Sequence, residues 1–171
     1  VAEIERQGDS FEHQRVEFEY YSALRQLGLD VDFISQSCDL TPYRVILAPC
    51  LPIVSEGFID KCIESKAHLI FGPRSGSKTD EFWLAPTLSP GVIQQLIEIK
   101  VTATETLRED CFQSLDTENG MLRCSRWLEY IDYTSSADVY TYARYKTDDT
   151  AIARNQKCTY IGCLMDTENL K

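Results

Sequence analysis

Ala67-His68-Leu69-Ile70-Phe71-Gly72-Pro73-Arg74-Ser75-Gly76-Ser77-Lys78-Thr79 sets the reading of this chain. The first five residues are a compact apolar run of strand length, and the next eight come close to a phosphate-binding loop. Such a loop requires Gly-x-x-x-x-Gly-Lys-Ser/Thr between a strand and a helix. Gly72, Lys78 and Thr79 keep the spacing, but Ser77 stands where the second glycine must let the backbone wrap a phosphate. Downstream come Phe82, Trp83, Pro86 and Ser89-Pro90-Gly91, a turn-rich stretch that does not continue as one helix. The stretch therefore reads as a rigid turn at the end of a sheet strand. A small-molecule site at 72–79 would rest on this stretch alone.

Working outward, Val16, Tyr20, Ala23, Leu24 and Leu27 recur at helical spacing between a capping box (Asp9, Glu12) and Gly28. Phe18, Tyr20 and Tyr21 on this helix are expected in the core. Residues 29–34 alternate Val31 and Phe33 with Asp30 and Asp32, which predicts a strand with one wet face. Residues 43–48, closed by Pro49, form a β-branched run that reads as a strand buried on both sides. Ser55 caps a helix bearing Phe58, Ile59, Cys62 and Ile63, and strand 67–71 follows. Val92, Ile93, Leu96 and Ile97 suggest a short helix.

The second half is strand-rich, over 99–106, 121–131, 137–145 and 151–164, with a hairpin turn at Asn155-Gln156-Lys157. Asp166 is expected to cap a final helix. The sum is an α/β domain in three layers, its mostly parallel sheet gaining antiparallel strands late in the chain. The sheet's first strand would precede residue 1, and Val1 with a polar start suggests a piece of a longer protein.

The chain's 171 residues suit one domain, 1–171, large enough to bury roughly 70% of its unfolded surface. A net charge of −10 repels nucleic acid and anionic membranes, so neither is expected as a partner. Seven scattered cysteines without a Cys-x-x-Cys pair, and only two histidines, predict neither a metal site nor a cofactor. They read as reduced, mostly buried thiols of a cytoplasmic protein.

Catalytic readings centre on strand ends, where open α/β sheets hold their sites. Ser75 beside Gly76 resembles a nucleophile on a sharp turn, and Cys50 follows strand 43–48. Either would need a histidine base oriented by a carboxylate. His68 lies ~15 Å of extended chain before the turn, and His13 belongs to the first helix. Cys50, flanked by Pro49 and Pro52, reads as a structural thiol. The 27 carboxylates read mainly as solvated surface.

Residues 18–32, Leu47 to Ser55, Gly72 to Thr79 with Leu88-Ser89-Pro90-Gly91, and the closing Ala151 to Asn155 and Tyr160-Ile161-Gly162 resemble one family. It is the trimerisation domain of family 42 β-galactosidases. The resemblance is strong over 16–106 and weak over 107–150. It implies a fold similar to flavodoxins and class I glutamine amidotransferases without their triad. It also implies a homotrimer whose catalytic glutamates lie in a separate barrel, so no catalytic residue carries over to this chain. The barrel and sister subunits become the expected partners. Arg74, Ser75, Lys78, Phe82 and Trp83 are the interface candidates, Arg74 and Lys78 reaching outward and Phe82 with Trp83 anchoring. The rival expectation is a divergent amidotransferase-like hydrolase using Ser75 or Cys50.

Overall fold

A computed structural model describes residues 11–117, 120–134, 138–141, 149–165 and 167–170. It is an α/β structure with a mixed sheet. Helix α1 (His13–Gln26) leads to β1 (Val45–Ala48), α2 (Glu56–Glu64) and β2 (His68–Phe71). A 3₁₀ turn (Gly91–Gln95) precedes β3 (Ile99–Thr106), β4 (Phe112–Thr117), β5 (Gly120–Tyr133), β6 (Asp138–Thr141), β7 (Thr150–Arg154), β8 (Cys158–Ile161) and β9 (Cys163–Met165). The strands run in the order β1-β2-β8-β7-β5-β3; β4 and β9 pair with β5, and β6 with β7.

Among the pairings of the described strands, only β1–β2 and β2–β8 are parallel. The other six pairings are antiparallel, which corrects the expectation of a mostly parallel sheet. The reason is non-local: β8 inserts beside β2 and is itself the return arm of the β7–β8 hairpin. That hairpin forms at 155–157 as its sequence requires. Asn155 Oδ1 accepts from the Lys157 and Cys158 amides at 2.9 and 2.7 Å, and its Nδ2 donates to the Leu96 carbonyl at 2.8 Å.

Residues 29–34 form no strand, a second correction. Phe33 is 75% exposed and stacks on Tyr21 at 5.6 Å between ring centroids, so the alternating acids mark an extended surface segment. Without that neighbour β1 ends the described strand order, and Val45 is exposed rather than buried. On α1, Val16, Tyr20 and Ala23 are buried as the spacing demands, but Phe18 points outward toward Tyr21 and Leu27 is exposed. Glu12 takes the N-cap position of α1 with no side-chain cap bond. Asp9, parts of 137–145 and Asp166 lie outside the described residues; Thr167–Asn169 form a 3₁₀ turn.

The Ser55 cap forms, its hydroxyl accepting from the Phe58 amide at 3.2 Å. α2 then buries Phe58, Ile59 and Cys62 against Ile46, Leu69 and Phe71. α1 buries Val16 and Tyr20 in a different cluster with Leu47, Trp127 and Leu164. Neighbouring β1 residues alternate between faces, so Ile46 and Leu47 carry these two clusters to opposite sides of the strand. No described helix is long and apolar enough to cross a membrane.

Candidate functional site: the turn after the second strand

The loops leaving β1 and β2 are locked to each other by backbone hydrogen bonds. The amides of Gly72, Gly76 and Lys78 donate to the carbonyls of Ala48, Leu51 and Pro52 at 2.8, 2.9 and 3.0 Å. The approach is so close that a Cβ on Gly72 would lie 1.9 Å from the Pro49 oxygen. A Cβ on Gly76 would lie 2.0 Å from the Pro90 oxygen. Glycine is therefore required at both positions by the backbone crossing over it.

The strained centre of the turn is Arg74, with φ of 65°, not Ser75. Gly72-Pro73-Arg74-Ser75-Gly76 matches the Gly-x-nucleophile-x-Gly spacing of a strand-to-turn elbow, with a guanidinium where a nucleophile would stand. A guanidinium stays protonated in proteins and has no nucleophilic lone pair to offer. Ser75 is fully buried, and its hydroxyl accepts from the Leu51 amide at 3.0 Å and lies 3.5 Å from the Ala48 carbonyl. It ties the two loops together.

Arg74 was expected to reach outward; instead it is 7% exposed, its Cζ lying 4.7 Å from the Phe11 ring centroid and 5.6 Å from that of Trp127. Stacking on aromatic faces holds the weakly hydrated guanidinium inside. Below it lies Glu129 of β5, 2% exposed. Glu129 Oε1 accepts from the Arg74 amide at 2.8 Å and from Trp127 Nε1 at 3.1 Å; its Oε2 accepts from the Tyr160 hydroxyl at 2.8 Å. Burial raises the Glu129 pKa, against the lowering effect of these hydrogen bonds and of Arg74. Burial and the adjacent carboxylate also push the Tyr160 phenol well above its usual range. Glu129 escaped the sequence reading, although a lone acid inside Trp127-Leu128-Glu129-Tyr130-Ile131 is its signal.

Neither histidine joins this site by a hydrogen bond. His68 Nε2 pairs with Thr159 Oγ1 at 2.8 Å, and His13 Nε2 lies 2.9 Å from Glu17. Cys50 is buried, which pushes its thiol up to about 12 and keeps it protonated at neutral pH. Iodoacetamide should accordingly alkylate exposed Cys111 in the native protein at least ~100-fold faster than Cys50, since only the thiolate attacks. Mass-spectrometric time courses will read the ratio, and comparable rates would refute the assignment. Among the described residues no group of His, Cys, Asp or Glu is arranged to hold a metal ion.

Past the turn, the chain forms a small outward loop. Lys78 bridges in parallel to Ile53 and antiparallel to Leu84, and the Thr79 amide donates to the Trp83 carbonyl at 2.9 Å. Phe82 at its tip has φ of 66°. Phe82, Trp83, Leu84 and Leu88 are 40, 74, 77 and 56% exposed. The structure thus brings Lys78, Phe82 and Trp83 together on one projecting loop and turns Arg74 and Ser75 inward.

The α/β fold that carries this turn is shared with known proteins. Residues 2–171 match the β-galactosidase trimerisation domain family, and the chain belongs to it. A β-galactosidase of Thermus thermophilus is 34% identical over 132 residues, covering 77% of this chain and 20% of that protein. The β-galactosidase Bga of Halorubrum lacusprofundi is 33% identical over 100 residues, covering 57% and 14%. The chain spans about a fifth of the length of the curated relatives it matches. The crystal structure of the β-galactosidase from psychrophilic Marinomonas ef1 superposes with a TM-score of 0.89 at 22% identity, over 96% of this chain and 24% of that one. A glutamine amidotransferase structure superposes at 0.58 with 15% identity, over 88% and 85%, a likeness of fold alone.

Proposed function

We propose that the chain serves as the non-catalytic assembly domain of a cytoplasmic β-galactosidase that removes terminal β-linked galactose. In this reading the domain, 1–171, is a three-layer flavodoxin- or amidotransferase-like scaffold whose partners are its own catalytic barrel and two sister subunits. The layering is supported by the separate clusters that α1 and α2 make with β1, and by the amidotransferase likeness. The observation that carries the non-catalytic reading is Arg74 at the elbow. The turn has the spacing of a reactive site, but its strained position holds a cation packed against Phe11 and Trp127. Ser75 spends its hydroxyl on backbone, so a hydrolase using Ser75 or Cys50 draws no support from the geometry.

The partner-facing surface is assigned to the loop carrying Lys78, Phe82 and Trp83. Exposed aromatics of this kind dominate interface energetics, whereas scattered single apolar residues do not. Replacing Phe82 and Trp83 together by alanine in the full-length enzyme should cost about 2 kcal/mol per contact, roughly a 30-fold weaker assembly. Sedimentation at low micromolar concentration will show the lighter species, while the circular dichroism of the domain stays unchanged. An unaltered sedimentation profile would remove this loop from the interface.

A further inference from the structure

Five of the seven cysteines are buried, and two of them meet. Cys124 of β5 and Cys163 of β9 are both fully buried, with Sγ atoms 3.0 Å apart. Their strands pair antiparallel, Cys124 opposite Met165 and Leu128 opposite Cys163. Between these positions the register slips at a bulge where Arg126 has φ of 66°. The bulge adds residues to β5 alone and bends it, and the two thiols share one apolar pocket with Leu115, Leu128, Ala151 and Ile161. A disulfide bond of about 2.05 Å lies roughly 1 Å of sulfur movement away.

We propose that Cys124 and Cys163 form a dithiol–disulfide couple that staples β9 to β5 when a low-molecular-weight disulfide is present. This modification goes beyond the assembly role and does not depend on it. Access requires β9 to open locally; it is three residues long and meets β5 in an interrupted ladder, and a local opening need not unfold the whole domain. In the opened form the Cys163 thiolate attacks one sulfur of the oxidant. The oxidant's disulfide breaks, its first half leaves as thiolate and takes a proton, and Cys163 carries the second half as a mixed disulfide. When β9 closes again, Cys124 loses its proton and attacks the Cys163 sulfur, expelling the second half as thiol. Two protein thiols are oxidised, and one small disulfide is reduced to two thiols. The product closes a separation of 39 residues and fixes the chain leading to the 3₁₀ turn 167–169, which packs on α1.

The test uses the folded, full-length native chain incubated with oxidised glutathione, then denatured, alkylated and digested with trypsin without reduction. The expected product joins Cys124-Ser125-Arg126 to the peptide beginning at Cys158, with Cys158 alkylated, about 2 Da lighter than the first peptide and the Cys158-alkylated second peptide together. Fragment ions must place the link on Cys163 rather than Cys158, and dithiothreitol must reverse it. The thermal midpoint should rise with the linked fraction. Recovery of both cysteines as alkylated thiols, a persistent glutathione adduct on Cys163, or a link to any other cysteine overturns the proposal. The wild-type map decides it even if Cys124→Ser does not fold.

Discussion

Glu129→Ala should lower the stability of the domain by about 4 kcal/mol, read as a shift in urea midpoint at constant slope. The substitution strips the acceptor from three buried donors at once: the Arg74 amide, Trp127 Nε1 and the Tyr160 hydroxyl. Each orphaned donor costs about 1–3 kcal/mol, and relaxation or an entering water keeps the sum below the maximum. Glu129→Gln keeps an oxygen toward Arg74 and Trp127 and offers an amide that the Tyr160 oxygen can accept, so its cost should stay near 1 kcal/mol. The pH dependence separates the two forms further. A carboxyl whose folded pKa is raised above its ordinary value of 4.5 contributes stability that is present below that value. This contribution is lost as pH climbs through the raised value. The gap between wild type and Glu129→Gln should therefore narrow, and move in favour of glutamine, as pH rises from 4.5. Loss of less than ~1 kcal/mol in Glu129→Ala would mean that the three donors find other partners.

Gly76→Ala should be comparably severe, about 3–5 kcal/mol, because two costs fall on one atom. The new Cβ meets the Pro90 oxygen at 2.0 Å, and the backbone φ of 67° is one that side chains resist. Gly72→Ala isolates the steric part, its Cβ landing 1.9 Å from the Pro49 oxygen with no left-handed φ. Gly28→Ala isolates the conformational part: φ is 76° and nothing lies within 4 Å, so about 1 kcal/mol should be lost. A denaturation series should rank Gly76 first, Gly72 next and Gly28 last. Equal losses at Gly28 and Gly76 would show that the loops part easily, contrary to their short backbone bonds.

Local signals were legible in this sequence, and long-range ones were not. The apolar run before Gly72, the Ser55 cap and the Asn155 hairpin each depend on neighbours a few residues away, and each forms. The segment 29–34 carries the same alternation as a strand, yet sequence says nothing about whether another strand lies within reach. The sense of the sheet was hidden for a related reason: β8 enters between β2 and β7, parallel to the first and antiparallel to the second, and its partner Leu69 lies far upstream of Cys158. At the turn, glycine spacing revealed the elbow, but which residue bears the strain depended on where the loop meets residues 48–52. Ser75 has the chemistry of a nucleophile, while Arg74 occupies the bent position. Glu129 completes the site from more than 50 residues downstream. Phe82 and Trp83 are exposed, in keeping with the turn-rich sequence around them, which gives no regular element to carry them into the core.

The β2–β8 pairing also carries a consequence for how the chain is made. As the polypeptide leaves the ribosome, β1 is available to β2 at once, but β2's other neighbour is not until residues 158–161 emerge. At about 5–20 residues per second that interval lasts several seconds. During it that edge of β2, bordered by Leu69 and Phe71, has amides and carbonyls paired only with water. Synthesis pauses placed in this interval would lengthen the window in which chaperones, or other nascent copies, can capture that edge.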